Sequence, residues 1–560
     1  MSNSTKYFFN RSFEILHRKS FDSYRLSLNN PYIIFDELNI VIEKLVKKKV
    51  KHFVPTVSEV GCEAFDFLKN DFVSELLNFE PFTKNQIINL LNETCVKSKN
   101  ENKVRSLALT SKTILNLNSD FKKTLIDRIA LLIEEDKDSN YSELDTLTGW
   151  LLSQLIYLGF SKTYIEHSIR KCGNIIFKKG KEVKESLDEL NRIFDNENEE
   201  YIVIFKIKLL QQQSLKFASS NIIELNNLPN TLEESTYLNT KFKEKNDDEV
   251  FIQVKINQHD FWSSVIKAYQ ILSASIEINE LHNSENKILI EGQAVAIHTN
   301  SNKIRVEKIE QTVDGIYHHN DTEFTRFVTN LKKITSNTAR EKISSAIRFY
   351  KLGNESIEME HKILNYWIGF EQLFSAIDTD DDSIKRMKIF YTALNTSYYF
   401  QRKVNYLISS LKRNGILYDG KEIDLSIFEV EFDQEKVSGK NPVLIKRLEN
   451  YFKFNNNKEI KKYIEVHSKR LNQHLTRIYR VRNELVHEGK TKMDVKLMAG
   501  HLRHYLLFTI EQLTNEISEN KTVDKIDDAF VYFEILMERI KLCDNLNEII
   551  SLKNYNGYTE

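Results

Sequence analysis

Only 15 glycines and 5 prolines punctuate this chain of 560 residues, so its backbone has few places to turn with positive φ or to lie flat against a ligand. Ordinary usage is roughly 7% and 5%. Glycine-lined phosphate loops, tight-turned barrels and doubly wound sheets therefore fit poorly, and no G-x-x-x-x-G-K-[ST] or G-x-G-x-x-G occurs. Long helices fit well. Apolar residues make up 41% and aromatics 11%, ample for real cores, and the length suggests about three or four domains.

Charge is abundant but balanced, 79 basic against 80 acidic residues, which predicts no overall attraction to nucleic acid or to an anionic membrane. Cys62, Cys95, Cys172 and Cys543 show no C-x-x-C spacing, which argues for core thiols in a reducing compartment and against a zinc ribbon. No stretch approaches 18 uninterrupted apolar residues, and the start lacks a charged segment followed by an apolar one. The expectation is a soluble cytoplasmic protein with no membrane partner.

Hydrophobic period divides the chain. From about 34 to 195 apolar residues recur at helical spacing, as in Leu144, Leu147, Leu151 and Leu155, and Ser161 is placed to cap a following helix. Residues 1–195 thus read as a helical N-terminal region. Near residue 200 the period becomes two: Tyr201, Val203, Phe205, Ile207 and Leu209 fall on one side of a strand, Lys206 and Lys208 on the other. Further strands are predicted over 250–256, 288–298 and 303–309, with Asp260 capping a helix between them. A small α+β module over 196–312, split by a polar insertion at 211–247, is the expectation. A linker over 313–339 then leads to an all-helical domain over 340–550, with polar loops near 378–383, 413–424 and 431–442. The fold class expected is mainly α.

One helix in that last domain carries chemistry. Leu471, Leu475, Ile478, Val481 and Leu485 commit one face to the core, and the helix runs into Arg482-Asn-Glu-Leu-Val-His487-Glu-Gly489. Five residues separate Arg482 from His487, about 140° on an ideal helix. Gly489 is a natural C-cap that puts His487 in the final turn, where local unwinding and the reach of arginine can bring both groups to one cleft. Asn483, four residues before His487, is placed to orient the imidazole.

The segment Tyr479 to Gly489 resembles the R-N-x-x-x-H signature of HEPN domains (higher-eukaryote and prokaryote nucleotide-binding), and most resembles the ApeA-like branch found in bacterial antiphage proteins. Lys362 to Phe374, with Trp367, Phe370 and Glu371, is similar to an early helix of that branch. The resemblance covers about 340–545 and implies a helical domain that pairs with a second copy, the Arg and His of both facing one groove. It further implies metal-independent endoribonuclease activity, with no cofactor, within antiphage defence by abortive infection. Arg482 and His487 would then be catalytic and Asn483 and Glu371 supporting. RNA, with tRNA one candidate, is the expected substrate, a homodimer the expected assembly and a phage-derived signal the expected trigger, with residues 1–330 sensing or restraining. The alternative is a non-catalytic dimerisation or RNA- or nucleotide-binding protein.

Physical reasoning agrees with that chemistry. A ribose 2′-OH attacks its own phosphodiester if one group takes its proton and another protonates the departing oxygen, and histidine suits both tasks near neutral pH. Between 461 and 504 eleven Lys/Arg face four acids, a sequence balance of +7, with five histidines in the window. Other signals have plainer readings: Trp367 and Phe370 as core, Asp378–Asp382 as a solvated capping loop, His318 and His319 as a surface turn, and Lys44–Lys51 as a solvated helix face.

Overall fold

The computed structural model describes residues 2–16, 29–46, 57–96, 103–179, 182–195, 198–209, 215–217, 219–229, 232, 238, 240–282, 288–309, 321–356, 358–375, 383–489, 491 and 495–552. Asp378–Asp382, His318, His319 and Lys47–Lys51 lie outside the described residues. The architecture is mainly α with a small antiparallel sheet in the middle of the chain, and contacts divide it into two units. One comprises Met1–Gln154, Tyr317–Asn354 and Ile363–Glu560, the other Leu155–Ile316 and Glu355–Lys362. Contact therefore groups residues 155–195, within the helical region expected over 1–195, with the sheet. Residues 321–333, within the expected linker, form the helix Asp321–Lys333.

The larger unit begins with α1 (Asn3–Leu16), α2 (Pro31–Val46) and α3 (Glu59–Leu68). Pro31 opens α2 where its missing N–H costs nothing, and the Asn30 side-chain oxygen accepts the Ile33 N–H at 2.9 Å. Asn30 is itself buried, and its amide donates to Trp150 O, Ser153 Oγ and Gln154 Oε1 at 3.0–3.2 Å. Ile34, Phe35, Leu38, Val41 and Ile42 form the buried stripe of α2.

The rest of this unit includes a bundle of α4 (Met359–Phe374, of which 363–374 belong to this unit), α5 (Ser383–Ser397), α6 (Asn457–Glu488), α7 (Val495–Glu519) and α8 (Ile526–Leu542). Trp367, Phe370, Phe374 and Tyr391 from α4 and α5 pack with Leu475, Ile478, Leu506 and Phe530 in one core. Trp367 and Phe370 are wholly buried, as core residues should be. Gly369 makes this packing possible: a Cβ there would meet Phe349 Cβ at 2.9 Å and Leu506 at 3.2 Å. Between α5 and α6, stretches expected as loops instead pair Leu417–Tyr418 with Lys421–Glu422 and with Val437–Ser438.

The smaller unit holds a five-stranded antiparallel sheet of β1 (Glu199–Leu209), β2 (Ile222–Leu225), β3 (Glu249–Gln258), β4 (Ile288–His298) and β5 (Ile304–Lys308). Their order is β2-β3-β1-β4-β5, so β1 is central, and β2 comes from the insertion expected to be merely polar. Helix Phe261–His282 covers one face through Val265, Ala268, Leu272 and Ile276. The Asp260 carboxylate caps it, accepting the Trp262 and Ser263 N–H groups at 2.9 Å. Ser161 caps helix Lys162–Lys179, accepting the Tyr164 N–H at 3.1 Å, and donates its own O–H to Asp260 at 2.8 Å.

The opposite face of β1 is also covered. Ile204 packs with Leu228, Leu232, Leu238 and Phe242, so Lys206, on the side of the strand opposite Phe205 as expected, is 2% exposed. Its ammonium donates to Glu244 O at 2.7 Å and pairs with Glu249 at 2.7 Å. Alternation in β1 thus marks two buried faces, one of them with a single satisfied charge.

All four cysteines are unpaired thiols, and burial pushes each up, Cys95 to about 12 and Cys172 and Cys543 to about 11. No helix among the described residues is long and apolar enough to cross a membrane.

Candidate functional site

Helix α6 runs for 32 residues between two side-chain-specified ends. Asn456 opens it, its carboxamide oxygen accepting the Glu459 N–H at 3.0 Å. Gly489 closes it at φ 67°, and its N–H donates to Leu485 O at 3.1 Å. A Cβ at Gly489 would meet nothing within 4 Å, so conformation alone requires glycine there. The predicted face holds, with Leu471, Leu475, Ile478, Val481 and Leu485 all buried. The helix remains regular through Glu488, without the unwinding expected in its last turn.

The signature side chains therefore project from a regular helix at fixed bearings. Taking Arg482 as 0°, Asn483 falls at about 100°, His487 at about 140°, Glu484 at about 200° and Glu488 at about 240°. On the Arg482 side, its guanidinium reaches to 4.0 Å from Glu371 Oε2 and donates to Asn483 Oδ1 at 3.0 Å. Glu371 is held in turn by the Trp367 indole N–H at 3.0 Å and by the Ser383 hydroxyl at 2.5 Å. The structure thus brings Arg482, Asn483 and Glu371 together. His487 is exposed and, among the described residues, makes no hydrogen bond or ion pair; Asn483 serves Arg482 rather than the imidazole.

The other four histidines of the window are engaged. His474 and His501 are buried with their rings joined at 2.6 Å, His467 stacks on Tyr399 at 3.6 Å, and His504 stacks on Phe508 at 6.1 Å. Burial, then His501 and Arg477, hold His474 well below the ordinary histidine value, and burial followed by Arg402 holds His504 at about 3. His487 is the one of the five that stands exposed.

The basic balance of the window changes once the fold is assembled. Arg477 is bridged by Glu37 at 2.9 Å and Glu63 at 2.6 Å, Arg480 also pairs with Glu37, and Lys469 pairs with Asp66. Three acids from α2 and α3, more than 400 residues away in the chain, thus offset part of the sequence balance of +7. The exposed Lys461, Lys462, Lys469 and Arg470 lie toward the other end of α6, about 25 to 40 Å along the axis from His487 at 1.5 Å rise per residue.

Lys44, expected on a solvated face, sits at the signature itself. Its ammonium is 2.6 Å from Glu484 and 3.8 Å from Glu488, with its side chain 14% exposed. Glu484 also accepts the Thr491 hydroxyl at 2.5 Å. Sequence reasoning passed over Lys44 because the lysine run around it looked like ordinary solvated charge, and nothing local marks its partners on α6.

Chemically, the arrangement offers a braced guanidinium and an exposed imidazole at one helix end. Two clefts, of about 580 Å³ lined by residues such as Phe79, Asn118 and Asp120 and of about 360 Å³ lined by Phe428, Tyr451 and Leu546, are not lined by Arg482, Asn483, His487 or Glu371. No family model, curated protein or solved structure matches the chain.

Proposed function

We propose that the protein is a metal-independent endoribonuclease of the HEPN type, acting in the cytoplasm in antiphage defence by abortive infection. The observation that carries this reading is the end of α6, where Arg482 is braced by Glu371 and Asn483 while His487 alone among its neighbouring histidines is exposed. A ribose 2′-OH loses its proton to a base and its oxygen bonds to the adjacent phosphorus. The bond from phosphorus to the 5′-oxygen breaks, and an acid protonates that oxygen. The products are a 2′,3′-cyclic phosphate and a 5′-hydroxyl end.

One His487 per chain supplies one of these two proton carriers, so the reading includes a homodimer whose two α6 ends face one groove. Arg482 binds the non-bridging phosphate oxygens through its rigid fork and stabilises the charge that builds on them. DNA lacks the attacking hydroxyl and is spared. tRNA or another cellular or phage RNA is the substrate class, with a phage-derived signal releasing the activity.

The second reading, a dimerisation or RNA-binding protein without chemistry, is favoured by the regularity of the last turn, which leaves Arg482 and His487 about 140° apart within one copy. One experiment separates the two. Full-length protein is incubated with total RNA and with DNA in EDTA, beside Arg482→Ala and His487→Ala variants of matched circular dichroism. RNA cleavage lost in both variants supports the nuclease, and cleavage undiminished in both removes it. Light scattering tests the dimer independently.

A further inference from the structure

We infer that Lys44, contributed by the N-terminal helices rather than by the signature-bearing bundle, is a positioning residue of the α6 site that holds Glu484 and Glu488 out of the path of an RNA phosphate. The inference rests on the ribonuclease reading for its substrate and on the structure for its geometry.

Helix α2 is clasped to α6 at two points. Glu37 takes Arg477 and Arg480, and seven residues later Lys44 takes Glu484 and Glu488. A separation of seven residues returns to nearly the same helix face, and 477, 480, 484 and 488 follow the i, i+3, i+7, i+11 line of α6. Because both sets of numbers rise together, the two helices run side by side in the same direction along this seam. Charge alternates along it: an acid of α2 faces two bases, then a base of α2 faces two acids.

The second point matters for chemistry because of where its acids lie. Glu484 precedes His487 by three residues and stands about 60° from it, and Glu488 follows it directly. Without Lys44 the site would carry Arg482 against Glu371, Glu484 and Glu488, a formal sum of −2, at the helix end where the backbone dipole is already negative. A phosphodiester approaching His487 would meet net repulsion. Lys44 halves that sum to −1 and pairs both acids nearest the imidazole. It stands on the Glu484 side of His487, whereas the Arg482–Glu371 pair stands on the other, so the imidazole is bracketed by a cation on each flank.

Thr491 helps to fix the Glu484 carboxylate from a second direction, so the lysine meets a preset partner. The N-terminal helices are, on this inference, part of the site and not a detachable cover.

The test compares Lys44→Met, Lys44→Arg and Lys44→Met/Glu484→Gln in the full-length protein. Steady-state cleavage of a fluorescein-labelled single-stranded RNA oligonucleotide gives kcat and KM. Fluorescence anisotropy of the same oligonucleotide on each variant combined with His487→Ala gives Kd without turnover. Lys44→Met is expected to raise KM and Kd about tenfold while kcat stays within about twofold. Lys44→Arg should stay near wild type. The double variant, whose local charge sum again equals that of wild type, should recover to within about twofold.

Unchanged KM and Kd in Lys44→Met overturn the inference and leave the nuclease reading standing. A loss that Glu484→Gln does not recover also overturns it, since that is the behaviour of a purely structural ion pair. A Kd that follows the charge pattern in a protein that never cleaves RNA supports Lys44 while removing the nuclease. Absence of RNA binding in every form removes both.

Discussion

The Arg482 guanidinium stands 4.0 Å from the Glu371 carboxylate, and the same carboxylate is pinned from behind by Trp367 and Ser383. Because the Trp367 ring is fully buried against Tyr479, one helical turn from Arg482, the brace is anchored in the core. Such an arrangement restricts where a long, flexible side chain can carry its charge. It links core packing to the bearing of one functional group.

Replacing Glu371 with Gln keeps a hydrogen-bonding side chain but removes the charge that attracts Arg482. RNA cleavage is expected to fall about tenfold in kcat/KM, with thermal stability close to wild type. Paired rate and melting measurements check it; an unaffected rate would remove Glu371 from the site.

Glu37 is buried beneath Arg477 and Arg480. Burial alone would raise its carboxyl, but the two guanidiniums outweigh burial and hold it below the ordinary carboxylate value. Its folded pKa being depressed, its contribution is complete above the unfolded value near 4.5 and is lost as pH falls below it. Glu37→Ala should cost about 3 kcal/mol near neutral pH, because it removes the carboxylate that two buried guanidiniums share and leaves Arg477 with Glu63 alone of its two acids. The difference from wild type should narrow in acid. Urea unfolding at pH 7 and pH 4 measures both.

How much of this was readable beforehand depends on whether the cause is local. The C-terminal end of α6 follows from Gly489, and β4 was expected over its whole length because period two and flanking polar residues are local signals. The stripe from Leu471 to Leu485 marked the buried face of α6 for the same reason. Lys44 and Glu37 were not readable, since their partners lie about 440 residues away in the chain and no periodicity connects them. Lys206 lies on the side of β1 that was expected, but its burial was not readable: alternation along β1 says which residues share a face, not whether the other face is covered.

Gly489→Ala tests the helix end. The space around a Cβ is open, yet φ at 67° penalises any β-carbon, so a loss of about 1 kcal/mol is expected. Asn, which tolerates this conformation better, should lose less. Amide hydrogen exchange over residues 484–489 should quicken in the Ala variant. Unchanged exchange and unchanged melting would mean that this end of α6 is not set by glycine.

His474 and His504 predict acid sensitivity of the bundle. Burial keeps both neutral when folded, with His501 and Arg477 adding to the effect at His474 and Arg402 at His504. An unfolded chain binds protons at these positions below about pH 6.5 while the folded one does not, so stability rises with pH through that region and is lost on acidification. The slope approaches about 1.4 kcal/mol per pH unit for each group. Urea unfolding from pH 7.5 to 5.5 should show it, and His504→Phe should flatten it. Equal slopes in wild type and variant would exclude His504 as a source.

Lys206 offers a test confined to the sheet unit. Its ammonium is 2% exposed, 2.7 Å from Glu249 and 3.8 Å from Glu291. Although burial would raise the Glu249 carboxyl, hydrogen bonds from Lys206 and Asn246 prevail and lower it. Lys206→Met leaves the Glu249 charge enclosed beside an apolar chain and should cost about 3 kcal/mol. Changing both partners, as Lys206→Met/Glu249→Leu, removes the stranded charge while keeping the volume, and should recover most of that loss. A double-mutant cycle by urea unfolding measures the coupling. If the two losses simply add, the pair is not coupled, and this face of β1 is held without it, by the apolar cover that includes Leu228, Leu232, Leu238 and Phe242.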